Sequence, residues 1–284
     1  MSQAIHSRTA TRSANNLTAI AVSNEVMRMP TPAHPYQFPT ERLQRRMTDA
    51  AKEPLVLVAC GSYSPITYLH LRMFEMAMDW VKEDARFEML GGYFSPVHDA
   101  YGKIGLATAS HRVAMCRIAA EPSDWLMVDA WEPSQPDYVR TIEVLDHFNH
   151  ELNVVLGGVE LPDGSRRPVR IMLLAGGDLI ESFGTPNLWA EADLHRILGN
   201  YGCFIIERTG ADVWAFLLSH DILYEHRHNV FVVKQLIYND ISSTKVRLFV
   251  KRAMSIKYLV PDQVMHHIYA HRLYIGEREP PSAL

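Results

Sequence analysis

The chain has few of the features that mark secreted, membrane-spanning or disulfide-rich proteins. Its three cysteines, Cys60, Cys116 and Cys203, lie far apart and show no CxxC spacing. This pattern excludes a disulfide scaffold and indicates reduced thiols in a reducing compartment. No run approaches the roughly 18 consecutive apolar residues that a membrane span needs, and the N-terminus has no apolar core of the signal-peptide kind. We therefore expect a soluble intracellular protein with no membrane partner.

An excess of positive charge is also absent. The 284 residues include 28 Lys and Arg against 32 Asp and Glu, which gives a net charge of −4 at pH 7. Without an overall positive field, the chain is not expected to bind a nucleic acid, and any smaller anion must be held by local groups. The apolar fraction of 48% and the charged fraction of 21% indicate a folded protein.

Residues 1–53 differ from the remainder, because they are rich in Ser, Thr, Ala, Asn and Pro and show no apolar periodicity. We expect a disordered extension there, one domain over residues 54–275 and a tail over residues 276–284. The extension carries seven Lys and Arg against four Asp and Glu, and its first two dozen residues contain no acid. This composition favours a solvated tail on a nuclear or cytoplasmic protein, and a mitochondrial transit peptide is the less favoured alternative.

Short apolar runs alternate with helical patterns from residue 55 onward. Strands are predicted for residues 55–60, 87–94, 125–130, 169–174, 203–206 and 230–233. Helices are predicted for residues 69–80, 107–120, 138–152, 188–198, 243–252 and 261–269. Strands separated by helices predict β-α-β crossovers, and hence an α/β fold with a parallel sheet covered on both faces. Ligands of such sheets bind beyond the carboxyl ends of the strands.

The loop after the first strand carries the groups of an anion site. Gly61 lets the backbone approach a ligand closely, and the Ser62 hydroxyl and nearby amides can hold phosphate oxygens. Thr67 is placed to cap the next helix, so His70 falls in the first turn and can point at the same anion. The loop is neither a Walker loop nor GxGxxG, so taken alone it is a weak signal.

A second candidate anion site precedes a helix near the end of the chain. Ser242 or Ser243 serves as the N-cap, the following amides are unsatisfied donors, and Arg247 adds a planar cation one turn on. Taken alone, the segment is also explained by an ordinary Ser-capped amphipathic helix. Both interpretations remain open at this point.

The two segments together resemble one family. Residues 61–70 read GSYSPITYLH and residues 241–247 read ISSTKVR, the paired signatures of the nucleotidyltransferase superfamily with the (H/T)xxH motif. More narrowly, the sequence resembles the eukaryotic nicotinamide mononucleotide adenylyltransferases over about residues 55–275. Further matching stretches are SPVHDAY at 95–101, LAGGDL at 174–179, PNLW at 186–189 and YLVPD at 258–262.

The resemblance implies a Rossmann-like, doubly wound nucleotidyltransferase domain that joins ATP to nicotinamide mononucleotide (NMN) or nicotinate mononucleotide (NaMN). The products would be NAD or deamido-NAD and pyrophosphate. Mg²⁺ would arrive with ATP, and we assign no metal ligand in the chain. We also expect a homo-oligomer. Two alternatives stay open: another nucleotidyltransferase of this superfamily with a different phosphate or alcohol acceptor, and a non-catalytic, chaperone-like relative.

The same matching implies roles on the phosphates of the substrates. His70 would hydrogen-bond the ATP α-phosphate, Lys103 would contact a phosphate, and Arg247 would hold the β- and γ-phosphates. Thr67 stands where many bacterial relatives have the first His of the motif, and Lys103 stands alone where animal members often carry several lysines. The other implied ATP contacts are Gly61, Ser62, Thr244, Lys245 and Val246.

The matching also implies a binding site for the NMN half. Tyr138 and Trp189 would sandwich the nicotinamide ring, Thr141 would meet its carboxamide, and Asp178 would accept a hydrogen bond from a ribose hydroxyl. The remaining histidines, His266 and His267 among them, show no HExxH spacing, so exposed or core positions are favoured for them. The other implied contacts of this half are Ser62, Tyr63, Lys103, Gly176, Leu188, Arg208 and Asn239.

Overall fold

A computed structural model describes residues 36–207 and 213–275 and contains a six-stranded parallel sheet. Its strands are β1 (Glu53–Gly61), β2 (Phe87–Pro96), β3 (Leu126–Val128), β6 (Arg170–Gly176), β7 (Cys203–Glu207) and β8 (Val230–Lys234). They run in the order β3-β2-β1-β6-β7-β8, and every neighbouring pair is parallel. A short antiparallel hairpin, β4 (Val159–Glu160) and β5 (Arg166–Arg167), stands apart. The predicted α/β fold with a doubly wound parallel sheet is confirmed.

The helices that cover the sheet include all six of those predicted, and five of the six start at a different residue. They are α1 (Tyr68–Asp84), α2 (Ala109–Ala120), α3 (Trp131–Ser134), α4 (Thr141–Asn149), α5 (Gly177–Phe183), α6 (Glu191–Arg196), α7 (Val213–Ser219), α8 (Asp221–Glu225), α9 (Ser243–Lys251) and α10 (Asp262–Ala270). Two π-helical stretches continue α4 and α6, over His150–Val155 and Ile197–Tyr201. Short 3-10 helices lie at Asp99–Tyr101 and Arg227–Asn229.

Two of the predicted helices begin three residues later than the apolar pattern indicates. The amide of Arg140 donates to the Glu143 side chain at 2.9 Å, and this cap starts α4 at Thr141. Likewise, α6 starts at Glu191. Side chains that the sequence analysis put in the first turns of these helices therefore lie on the connecting segments.

Strand β1 is central because both of its faces are apolar. Val56 and Val58 belong to a core that also holds the buried side chains of α4 to α8, whereas Leu55 and Leu57 belong to a core with α1, α2, α9 and α10. A strand covered on both faces reads as a continuous apolar run rather than an alternating one. The strand order reverses between β1 and β6, which makes this place the switch point of the sheet.

Residues 36–52 pack on the domain instead of forming a solvated tail. The side chains of Phe38, Leu43 and Met47 are buried in the core that contains α4. The amide of Met47 donates to the Glu160 carbonyl at 2.8 Å, which ties this segment to the hairpin. Three apolar side chains spaced four or five residues apart show no helix or strand period, and the sequence pattern therefore missed them.

The structure thus corrects the expected disordered extension over residues 1–53 for its part from residue 36 onward. Residues 1–35 and the expected tail, residues 276–284, lie outside the described residues. The three cysteines are free thiols, as predicted. No helix in the described part of the chain is long and apolar enough to cross a bilayer.

We predict that Met47→Ala lowers the free energy of unfolding by about 2–5 kcal/mol, because it leaves a cavity in a packed core. Met254→Ala is the matched control, since that methionine is 46% exposed. Urea titration followed by circular dichroism measures both variants. Equal stabilities of the two variants would contradict the packing of residues 36–52 on the domain.

Candidate active site

A cavity of about 610 Å³ lies where β1 and β6 end, at the switch point of the sheet. Ligands of doubly wound sheets bind at this place, and the volume suits a ligand of nucleotide size. Most of the site residues expected from the sequence are brought together here. Those that line the cavity are Gly61, Ser62, Tyr63, His70, Lys103, Tyr138, Thr141, Gly176, Asp178, Leu188 and Trp189.

The ring of His70 is held in place by the residue that caps its helix. Thr67 is the N-cap of α1, as predicted, and its amide donates to His70 Nδ1 at 3.0 Å. Thr67 Oγ1 also lies 2.8 Å from Nδ1. Because Nδ1 accepts a hydrogen bond, the neutral ring carries its proton on Nε2. Thr67 is fully buried and does not line the cavity, so it orients His70 instead of touching a ligand.

The loop between β1 and α1 rests on a buried arginine. The side chain of Arg112, on α2, is fully buried, and its Nη1 donates to the Ser62 carbonyl at 3.2 Å. Its Nε donates to the Ala107 carbonyl and its Nη2 to Asp99 Oδ1, both at 2.9 Å. Arg112 lies in no recognisable motif, so the sequence analysis missed it. Its role is to position the loop that carries Gly61 and Ser62.

The second motif folds back onto the first. Arg247 Nη1 donates to the Ser64 carbonyl at 2.8 Å, and Ser243 Oγ donates to the Pro65 carbonyl at 2.8 Å. Of the two serines considered for the N-cap of α9, Ser242 takes this position. The predicted anion-binding helix N-terminus therefore lies beside the loop that follows β1.

Three residues of the second motif that were expected to contact ATP are bonded to other groups of the protein. Val246 is fully buried in the core and its amide donates to the Ser242 carbonyl at 3.0 Å, which corrects the expectation that it contacts ATP. Lys245 forms an ion pair with Asp240. Thr244 Oγ1 accepts from Arg247 Nη2 at 3.3 Å.

Of three further residues expected to contact NMN, two are bonded to other groups of the protein and one lies outside the described part of the chain. Asn239 does not line the cavity, and its side chain accepts from the Ile241 amide at 3.0 Å. Tyr63 lines the cavity, but its ring is buried and its hydroxyl donates to the Ala59 carbonyl at 2.7 Å. Arg208 lies outside the described residues.

Two aromatic side chains on connecting segments form part of the cavity wall. Tyr138 is 45% exposed and stacks on Tyr101, with ring centroids 6.1 Å apart. Trp189 Nε1 donates to Ser182 Oγ at 3.1 Å, and its ring meets Phe183 edge-on at 4.8 Å. Tyr101 and Ser182 also line the cavity. Tyr101 lies in the matching stretch 95–101, but neither residue was given a role from the sequence.

An ion pair that the sequence analysis missed also lines the cavity. Arg140 Nη1 donates to both oxygens of Asp193, at 2.8 and 3.1 Å, and the Asp193 side chain is nearly buried. The two residues are 53 positions apart. No local pattern predicts a contact at that separation. The pair joins α6 to the segment before α4, so it holds two walls of the cavity together.

A carboxyl group close to the cavity is buried. Glu132 Oε2 accepts from Ser95 Oγ at 2.8 Å, and burial raises the pKa of Glu132 to about 8. Burial, together with the charges of Glu132 and Asp129, raises the pKa of the cavity-lining Cys60 thiol well above its usual value. Glu132 is therefore largely uncharged at neutral pH, and Cys60 remains a thiol.

Comparisons with known proteins agree with this geometry. A family model described as cytidylyltransferase-like matches residues 58–249. Nicotinamide/nicotinic acid mononucleotide adenylyltransferase 1 of Bos taurus is 39% identical over 261 residues, covering 82% of this chain and 93% of that protein. The chain belongs to the cytidylyltransferase-like family and to the nicotinamide/nicotinic acid mononucleotide adenylyltransferases. This confirms the resemblance found in the sequence.

Other relatives are longer or more distant. The Saccharomyces cerevisiae protein of the same printed name is 62% identical over 260 residues, which are 91% of this chain. This chain spans 65% of the length of that relative. The solved structure of the Plasmodium falciparum nicotinic acid mononucleotide adenylyltransferase complexed with NaAD has a TM-score of 0.55 at 16% identity, covering 78% of this chain and 98% of that one. At that identity the likeness shows the fold alone.

We predict that Glu132→Gln makes stability less dependent on pH. The pKa of a Glu side chain is about 4.5 in the unfolded chain and about 8 for Glu132 in the folded protein. The contribution of Glu132 to the free energy of unfolding is therefore complete below pH 4.5 and is lost as the pH rises to 8. The loss of unfolding free energy between pH 5 and 8 should be smaller in the variant by roughly 3 kcal/mol. Glu121→Gln, at an exposed position, is the control. Parallel pH profiles of the wild type and Glu132→Gln would contradict the assignment.

Proposed function

We propose that the protein transfers the adenylyl group of ATP to NMN, and also to NaMN, forming NAD or deamido-NAD and pyrophosphate. The observation that carries the proposal is the convergence, in one cavity, of phosphate-binding groups and an aromatic pair. Ser62, His70 and Lys103 provide the first, and Tyr138 and Trp189 provide the second. The identity to the nicotinamide/nicotinic acid mononucleotide adenylyltransferases supports the same conclusion.

The reaction requires little acid-base chemistry from the protein. An oxygen of the NMN 5′-phosphate attacks the α-phosphorus of ATP, the bond from this phosphorus to the bridging oxygen breaks, and pyrophosphate leaves with that bond pair. Charge increases on the α-phosphate oxygens during this step, and a preorganised donor lowers its energy. His70 suits this role, because Thr67 engages Nδ1 and the proton sits on Nε2.

The remaining cations serve the polyphosphate and the acceptor phosphate. Lys103 lines the cavity and contacts a phosphate in the proposal. Arg247, whose Nη1 is anchored on the Ser64 carbonyl, holds the departing β- and γ-phosphates beside the N-terminus of α9. Lys245 shares the task once ATP competes with Asp240 for its ammonium group. Positioning by these groups converts a two-substrate reaction into one between oriented neighbours.

Mg²⁺ fits the site as an ion carried by ATP. Within the described residues, groups of three metal-ligating side chains occur around His111 and around His195, and neither group lines the cavity. Their imidazole donors also do not suit Mg²⁺, which prefers oxygen ligands and keeps much of its hydration. We propose that polyphosphate oxygens and water hold Mg²⁺, which would supply charge neutralisation.

The nicotinamide ring occupies the aromatic part of the cavity in the proposal. Tyr138 and Trp189 contact the two faces of the ring, and Thr141, the first residue of α4, meets its carboxamide. Asp178, in the first turn of α5, accepts from a ribose hydroxyl, and Gly176, where β6 ends, leaves room for the sugar. Leu188 adds apolar contact.

The activity is tested with the full chain, ATP, Mg²⁺ and a panel of acceptors that includes NMN, NaMN, pantetheine phosphate and choline phosphate. We expect dinucleotide and pyrophosphate from NMN and NaMN only. His70→Ala should lower kcat at least about a hundredfold, as for loss of one transition-state donor. Product from a different acceptor alone would favour the other nucleotidyltransferase, and no product from any acceptor would favour the non-catalytic relative.

His70→Gln separates catalysis from folding. A Gln three residues after a Thr N-cap can still bond the N-cap amide, as in a capping box, so this variant should keep the stability of α1. It lacks the imidazole, so its kcat should fall as far as that of His70→Ala. Near-normal turnover by either variant would contradict the role of His70.

A second prediction concerns the aromatic pair. Trp189→Ala should raise the KM for NMN about tenfold and change the KM for ATP little, because one stacking surface worth about 1–1.5 kcal/mol is lost. Trp189→Phe retains a stacking ring and should restore most of the affinity. Steady-state kinetics with each substrate varied in turn measures both effects. Equal changes in the two KM values would contradict the stacking role.

A further inference from the structure

Three histidines converge on the side of the molecule where α2 crosses α10. His267 lies on α10 and His271 is the C-cap residue of that helix, so the two are separated by four positions and project from one face. His111 reaches them from the first turn of α2. None of the three lines the cavity described above. The HExxH spacing is absent around His267, so the sequence favours an exposed or core position for this residue.

The geometry of these imidazoles is close to that of a metal-ligand set. His111 Nδ1 and His267 Nε2 are 3.1 Å apart, and the His271 ring lies 4.8 Å from that of His111 and 4.4 Å from that of His267. All three residues can offer one nitrogen within 4.8 Å of the other two. In a tetrahedral site with metal-nitrogen bonds of about 2.05 Å, ligand nitrogens are about 3.4 Å apart. Small side-chain rotations therefore suffice.

A metal ion binds the unprotonated nitrogen of an imidazole. The side chains of His111 and His267 are half-buried. His271 is exposed, which leaves space for a water molecule as the fourth ligand.

We propose that His111, His267 and His271 form a binding site for a divalent transition metal of the zinc class. Three imidazoles and a water suit Zn²⁺, Co²⁺ and Ni²⁺ and do not suit Mg²⁺ or Ca²⁺, which prefer oxygen ligands. This donor set is separate from the phosphate-binding groups, so the proposal does not depend on the proposed function.

A metal at this place would join two helices that support the candidate active site. Helix α2 carries Arg112, which holds the Ser62 carbonyl. Beyond α10, the hydroxyl of Tyr274 lies 2.9 Å from Ser64 Oγ in the same loop. A bridge between α2 and α10 therefore stabilises the frame of the loop after β1 without touching a substrate.

The described residues contain one other group of this kind, formed by His195, Glu225 and His226. Its two imidazole nitrogens are 2.9 Å apart, but the carboxylate oxygens lie 3.8 and 3.9 Å away on a side chain that is 62% exposed. This group therefore differs from the three imidazoles in having an exposed carboxylate as its third donor. The experiment therefore has to separate the two groups.

The test uses the full chain without a histidine tag, freed of metal by chelation and held in saturating Mg²⁺. Co²⁺ is added first, because a tetrahedral site gives visible absorption, and Zn²⁺ affinity is then measured by competition with a chromophoric chelator. We expect one equivalent of Co²⁺ or Zn²⁺ to bind per chain in the presence of saturating Mg²⁺. Zn²⁺ at about 100 times its Kd should raise the Tm by about 5 °C.

Four variants locate the metal. His267→Gln and His271→Gln should weaken Zn²⁺ binding at least about tenfold and lower the Tm shift at the same Zn²⁺ concentration to about half or less. His266→Gln removes an exposed neighbouring histidine on the same helix and His226→Gln disrupts the other group, so both should bind like the wild type. Because His271 is exposed, its variant should remain folded. Absence of binding to the wild type, or wild-type binding by both His267→Gln and His271→Gln, would overturn the proposal.

Discussion

The candidate active site depends on the hydrogen bonds of one fully buried guanidinium group. Arg112 donates to the Ser62 carbonyl, the Ala107 carbonyl and Asp99, so one side chain holds the loop after β1 against the segment that carries Lys103. A buried cation that loses its partners is costly, typically by several kcal/mol, so these three acceptors must stay in place whenever the protein is folded. The positions of Gly61 and Ser62 are therefore set by the packing of α2 instead of by the loop itself.

The same loop collects contacts from distant parts of the chain. Ser64 Oγ accepts from the Ala107 amide at 2.9 Å and lies 2.9 Å from the Tyr274 hydroxyl, while the Ser64 carbonyl accepts from Arg247. These partners come from the segment before α2, from beyond α10 and from α9. Polar groups in such a network are satisfied together, so the loop is preorganised before a ligand arrives. Preorganisation of this kind makes hydrogen-bond donors effective on developing charge.

The fold and the motif residues could be predicted because their signals are local. A buried parallel strand reads as an apolar run, and the Thr67 N-cap with His70 in the first turn follows from helix capping. The contacts of Arg112 with Ser62 and of Arg140 with Asp193 join residues 50 and 53 positions apart, and no local pattern marks them. The short helices α5, α7 and α8 carry too few residues to show a period.

The acidic net charge is compatible with the proposed anionic substrates, because two carboxyl groups near the cavity are neutralised in different ways. Asp193 accepts both of its hydrogen bonds from Arg140, so its charge is compensated within the wall. Glu132 is kept largely protonated at neutral pH by burial, which raises its pKa to about 8. Asp193 and Glu132 therefore add little repulsion to the cavity, whose lining also includes Asp178, His70 and Lys103. For a small anion, the placement of a few groups matters more than the charge of the whole chain, whereas a polymeric anion responds to the extended field that this protein lacks.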